Sequence, residues 1–147
     1  MESIMKWHKR FLGLADHVSS WSRDPSTHVG AVVVRPDRTV ASVGFNGFPR
    51  GVSDDTDRYS NREVKYRFIC HAEANALMSS HERMAGYTLY ASPLHPCNEC
   101  AKLIIQSGIK SVVTRPAMDP RWKDSFSIAS QMFKEAQIEV IEIAQDH

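Results

Sequence analysis

Two stretches decide how this chain is read: Phe68-Ile69-Cys70-His71-Ala72-Glu73-Ala74-Asn75-Ala76-Leu77, and Pro96-Cys97-Asn98-Glu99-Cys100. The first offers a histidine and, two residues on, a glutamate. The second offers two cysteines with two residues between them. Three such ligands make an open tetrahedral zinc site whose fourth position is left to water. Bound zinc lowers the pKa of that water from about 15.7 to about 7. A carboxylate beside the metal, but not on it, can then carry the proton. Either half alone says little, because an isolated Cys-x-x-Cys is divided between zinc and a redox pair. A redox pair has no need of His71 and Glu73 upstream. His71, Cys97 and Cys100 are therefore the proposed ligands, and Glu73 the general acid/base. Cys70 is adjacent and could compete as a ligand; the alternative is that it points into the core, where free cysteine is often found. Glu73 also has a plainer reading, as an acid favouring a helix N-terminus.

Helices are expected behind both stretches, from about Ala72 to Glu82 and from about Cys97 to Ser107, with Gly108 as the cap of the second. Both metal-binding pieces thus lie at helix N-termini, where unpaired N–H groups favour thiolate. Ahead of them, Ile4, Phe11, Ala15, Val18 and Trp21 recur at three- and four-residue steps, which predicts an amphipathic helix from about Glu2 to Ser20. Ser22-Arg23-Asp24-Pro25 breaks it. Val29 to Val34 is a buried strand by its β-branched content, and Pro36-Asp37-Arg38 turns the chain into a second, Thr39 to Gly44. The loop Phe45 to Asp55 leaves a strand end, where ligands bind in α/β sheets. Tyr59 to Arg67 reads as a short helix or an irregular lead-in, docked by Tyr66, Phe68 and Ile69. Further strands are expected at Tyr87–Ser92, Lys110–Thr114 and Ile138–Ile143, with a helix from Asp124 to Ala136. The fold class is α/β: a five-stranded mixed sheet with helices on both faces and its last two strands parallel.

The 147 residues are a single-domain length, 1–147, and enough to bury a core. A net charge of +1 gives no bulk electrostatic case for a nucleic-acid polymer. No run approaches the ~18 apolar residues of a membrane span, and the first residues lack the apolar core of a signal peptide. Three cysteines, two of them in the metal pattern, argue for a reducing compartment, so cytoplasm is the expected location.

Several motifs together resemble the deoxycytidylate deaminases of the cytidine deaminase superfamily. They are Ser22-Arg23-Asp24-Pro25 before Val29-Gly30, Gly44-Phe45-Asn46-Gly47-Phe48-Pro49-Arg50-Gly51, Ser53-Asp54-Asp55, Cys70-His71-Ala72-Glu73 with Asn75-Ala76, and Pro96-Cys97-Asn98-Glu99-Cys100 running on to Ile109. The His-x-Glu with Pro-Cys-x-x-Cys is the signature of zinc nucleobase deaminases. The resemblance implies a three-layer α/β/α sandwich of the cytidine deaminase type and hydrolysis of dCMP to dUMP and ammonia. It implies one zinc per chain, since Asp54 to Phe68 lacks the extra Cys and His that hold a second zinc in some relatives. It also implies a dimer-based homo-oligomer, up to a hexamer, with dCTP and dTTP as effectors and Mg²⁺ accompanying the triphosphate. Two departures stand out. The Ala91 to Pro96 connection is one residue longer than usual, and the part from Arg115 on matches only in pattern.

On the same footing, substrate-binding roles fall to Asn46, the Ala72 N–H, Ser22, Pro96 and Arg23, the last as the phosphate ligand. Effector roles fall to Asn46, Gly47, Arg50, Asp54 and Asp55. Arg50, Arg115, Arg121 and Lys123 are further candidates for phosphate or an allosteric nucleotide, and His95, Trp122 and Phe126 are candidates to line the pocket. The plain readings are a turn asparagine at 46, a solvated arginine at 23 and packing aromatics. Other same-fold activities stay open: deamination of a 5-modified dCMP, of another nucleotide or of a tRNA base. So does a non-catalytic zinc-folded nucleotide-binding module, against which the unliganded acid Glu73 argues.

Overall fold

The computed structural model describes residues 3–145. Its order is α1 (Ile4–Ser19), β1 (Gly30–Val34), β2 (Val40–Phe45), α2 (Thr56–Ser60), α3 (Arg62–Phe68), α4 (Ala72–Ser79), β3 (Thr88–Ser92), α5 (Asn98–Gln106), β4 (Ser111–Thr114), a 3₁₀ turn (Pro120–Trp122), α6 (Lys123–Glu135) and β5 (Glu139–Glu142). The stretch 59–67 is helical, split into α2 and α3 where Asn61 ends one and caps the other. The expected start of the first helix at Glu2 lies outside the described residues. Ser3 caps α1 through Met5 N–H at 2.9 Å.

The strands form one sheet in the order β2-β1-β3-β4-β5. β1 is antiparallel to both β2 and β3, while β3–β4 and β4–β5 are parallel. The parallel pairs are those joined through α5 and α6, as crossover helices require. Side chains on β1 alternate between two cores. Ala31 and Val33 join Leu89, Ala91 and Val112 beneath α4, α5 and α6; Val32 and Val34 join Tyr90 and Val113 beneath α1. The result is the three-layer sandwich. In α1, Leu12, Ala15 and Val18 carry the packing, while Ile4 at its start and Trp21, two residues past its end, are about half exposed.

β2 and α4 approach each other closely. A Cβ on Gly44 would sit 2.3 Å from Ala76 N and 2.5 Å from Ala72 O, both backbone atoms of the helix that carries Glu73. Gly44→Ala is therefore expected to cost about 3 kcal/mol or more, the upper end of overpacking. Gly13→Ala, on α1 with nothing within 4 Å of the new methyl, should be neutral or stabilising by up to ~1 kcal/mol. Urea midpoints measure both; equal effects would refute the packing argument.

Because β1 runs against the others, the start of β1 and the ends of β2, β3 and β4 share one edge. The segments leaving that edge, together with α3 and the N-termini of α4 and α5, enclose a cavity of about 610 Å³.

Candidate metal centre and active site

His71 is the N-cap of α4 and Cys97 the N-cap of α5, with Cys100 in the first turn of α5. His71 Nδ1 lies 3.4 Å from both Cys97 Sγ and Cys100 Sγ. The three ligand atoms fall within 4.8 Å of one another. Zinc–nitrogen and zinc–sulfur bonds of about 2.05 and 2.3 Å at a tetrahedral angle separate N from S by roughly 3.6 Å. The donor set and its spacing therefore fit zinc. A hydrogen bond from Cys100 pushes the Cys97 thiol down to about 4, with burial opposing and His71 assisting. Cys100 is pushed up by the same bond and by burial. One thiolate is thus favoured before any metal arrives. Cys70 stands outside this group; its backbone pairs with Gly47 through bonds of 2.7 and 3.0 Å.

Glu73 lines the cavity beside His71 and is 4% exposed. Burial raises its carboxyl from 4.5 to about 7, with His71 opposing and the Cys97 charge adding to the rise. Its proton is therefore poised near neutrality, as a general acid/base requires. Ala72 lines the cavity too, and its N–H is a first-turn donor that no helical carbonyl can meet.

Asn46 lines the cavity, but its side chain is largely spent on backbone. Oδ1 accepts from Val29 N–H at 2.8 Å, and Nδ2 donates to Thr27 O at 2.8 Å and Asp24 Oδ2 at 3.4 Å. One lone pair of Oδ1 remains for a ligand. Asp24 is 1% exposed and pairs with Lys65 Nζ at 2.8 Å, which also donates to Ser26 Oγ at 3.1 Å. Burial alone would raise Asp24, yet the bonds from Lys65, Ser26 and Thr27 hold it below 3.8. This network fastens α3 to the loop before β1. Lys65 and Phe68, which meets the Phe48 ring at 5.8 Å, dock α3; Tyr66 is 50% exposed and meets the Trp122 ring edge-on at 6.1 Å.

The expected cations are placed unevenly around the cavity. Arg23 does not line the cavity; its side chain is 78% exposed and stands 3.8 Å from Asp54. Arg115 is buried and fully engaged, with Asp16 at 2.7 Å, Ser92 Oγ at 3.1 Å and the Ile143 carbonyl at 3.2 Å. Lys123 and Arg50 are exposed and away from the lining. The cations that do line it are Arg62, Lys65 and Arg121. Sequence reasoning passed over Arg62 and Lys65 because the charged run 59–67 carries no helical periodicity of apolar residues.

The remaining residues divide in the same way. Ser22 supports the site from behind, donating to Asn46 O at 2.8 Å, and Pro96 is buried beside the lining residues His95 and Cys97. Trp122 and Phe126 line the cavity as well. Among the effector candidates, Asp55 caps α2 through Asp57 N–H at 2.9 Å, and Asp54 accepts from Tyr59 OH at 3.3 Å. Gly47, Arg50, Asp54 and Asp55 lie off the cavity lining.

The family model for the cytidine and deoxycytidylate deaminase zinc-binding region matches residues 5–115. The chain belongs to the cytidine and deoxycytidylate deaminase family. An uncharacterised deaminase from the luxG 3′ region of Aliivibrio fischeri is 43% identical over 93% of each chain. The deoxycytidylate deaminase of Mus musculus is 38% identical, over 84% of this chain and 71% of that one. A crystal structure of the dCMP deaminase of cyanophage S-TIM5 with dCMP and dUMP aligns at 29% identity with a TM-score of 0.75, covering 97% of this chain and 99% of the other. The histidine and both cysteines of the deaminase motif thus form one cluster, and His71, Cys97 and Glu73 line the cavity.

Proposed function

We propose that this chain hydrolyses dCMP to dUMP and ammonia, with zinc held by His71, Cys97 and Cys100. The observation that carries the reading is a buried, unliganded carboxyl, Glu73, beside a three-donor metal site in a nucleotide-sized cavity. Zinc supplies a Lewis-acidic centre that brings the pKa of a water near 7. Glu73 takes the proton of the attacking water and passes it to N3 of the cytosine. It then transfers the second proton to the amino group, which leaves C4 as ammonia while the C4 carbonyl forms. The Ala72 N–H holds the base O2, and the free lone pair of Asn46 Oδ1 accepts from the sugar. The buried floor excludes bulk water and strengthens these contacts.

The phosphate is read by Arg62 and Arg121, which line the cavity from α3 and the 3₁₀ turn. Lys65 is committed to Asp24 and adds only background charge. A charge-assisted hydrogen bond contributes about 1.5–3 kcal/mol, or about 10- to 150-fold. Arg62→Ala and Arg121→Ala are each expected to lower kcat/KM for dCMP by about that factor and to leave deoxycytidine turnover nearly unchanged. Steady-state kinetics on both substrates test this. Equal efficiency of the unmutated protein on dCMP and deoxycytidine would remove the monophosphate reading.

The assembly is a dimer-based homo-oligomer regulated by dCTP with Mg²⁺ and by dTTP, working in the cytoplasm. The half-exposed Trp21–Phe45 pair beside edge strand β2 supports a subunit contact. None of the helices among the described residues is long and apolar enough to cross a membrane. Light scattering tests the assembly, and kinetics with each triphosphate test the regulation.

A further inference from the structure

Cytosine C4 is flanked by N3 on one side and C5 on the other. Glu73 and Ala72 both belong to the first turn of α4. With N3 and O2 directed at that turn, C5 points away from it, and the rest of the lining includes Leu94, His95, Asn98, Ser125 and Phe126. Three of these offer no free donor. Leu94 and Phe126 are apolar, and His95 is 2% exposed, with its Nδ1–H donating to Pro96 O at 2.8 Å and its buried Nε2, an acceptor, without a partner among the described residues.

Asn98 is different. Its backbone N–H donates to Ser125 Oγ at 2.9 Å, and the Ser125 hydroxyl in turn donates to Asn98 Oδ1 at 2.7 Å. Ser125 gives its one hydrogen to the carboxamide oxygen, and Oδ1 is the end that faces it. The other end, the Nδ2 amide with two donors, has no hydrogen-bond partner among the described residues. Asn98 of α5, tied to Ser125 of α6, thus brings an amide with unused donors to the cavity lining.

We propose that Asn98, held by Ser125, reads the substituent at C5 of the base, donating to an oxygen carried there and disfavouring a methyl group. Unsubstituted dCMP leaves room for water on the amide. A 5-hydroxymethyl group offers an acceptor; a 5-methyl group displaces that water and gives nothing back, which strands a donor. Ser125 is a positioning residue that sets the amide's orientation. The inference rests on the dCMP deaminase reading and extends it to the base edge.

The experiment is kcat/KM for dCMP, 5-methyl-dCMP and 5-hydroxymethyl-dCMP in the wild type, Asn98→Leu, Ser125→Ala and Ser125→Thr. The wild type is expected to favour 5-hydroxymethyl over 5-methyl by about five- to tenfold, the size of one neutral hydrogen bond. Asn98→Leu should bring the ratio to one or below. Ser125→Ala should lower it part-way, and Ser125→Thr, which keeps the hydroxyl, should restore it. Variants too slow to assay are compared by calorimetric binding of 5-hydroxymethyl-dUMP and dTMP, where the same ratio is read. A ratio unchanged in Asn98→Leu overturns the inference while leaving dCMP deamination intact. A wild type that deaminates none of the three overturns the dCMP reading, and this inference falls with it.

Discussion

Glu73→Gln is expected to lower kcat by at least 10²–10⁴-fold, the usual contribution of a general acid/base, with zinc retained. Glutamine keeps the shape of the side chain and removes only the titrating oxygen. The same variant should reveal what the acid costs the fold. Burial raises the Glu73 carboxyl to about 7, so the folded protein holds this proton more tightly than the unfolded chain does. In metal-free protein that preference is fully present below the unfolded value of about 4.5 and is lost as pH rises through about 7. Stability should therefore fall with pH across that window in the wild type and less in Glu73→Gln. A shift of this size corresponds to something on the order of 3 kcal/mol. Metal-free Glu73→Gln should melt above the wild type at pH 8 and alongside it at pH 4.5. A variant within tenfold of wild-type turnover would refute the role.

Removing a ligand should be as severe. Cys100→Ala and His71→Ala each leave two donors, too few for a tight zinc site. Zinc is expected to drop from one ion per chain to a small fraction, and turnover with it. Cys70→Ala should keep its metal, because Cys70 lies outside the three-donor group. Metal analysis on purified variants reads all three. Metal retained by Cys100→Ala but lost from Cys70→Ala would reverse the assignment. Two tightly bound zinc ions in the wild type would contradict the single-site reading.

Both predictions concern residues that the chain states locally. His71 and Glu73 are two positions apart, and Cys97 and Cys100 three, on short pieces that each begin a helix. A helix N-terminus is a local property, and so is a strand's β-branched run or the alternation that sends Val32 and Val33 to opposite faces. The sandwich, the parallel last pair and the three-donor cluster were legible for that reason. The turn at Pro36-Asp37-Arg38 was equally local, with Arg38 taking the left-handed conformation at φ 70°.

The cations that line the cavity were not legible. Arg23 stands in a recognisable motif and points to solvent, while Arg62 and Lys65 stand in no motif and line the cavity. Direction is set by partners distant in sequence: Asp16 claims Arg115 across 99 positions, and Asp24 claims Lys65 across 41. The orientation of Asn98 has the same origin, a serine 27 residues away on another helix. Sequence alone determined which chemistry the chain carries and the layers that hold it, because capping, strand burial and ligand spacing are short-range. Tertiary structure alone decided which charges reach the cavity and which are consumed inside the fold, because a buried cation or amide faces whatever partner the packing brings to it.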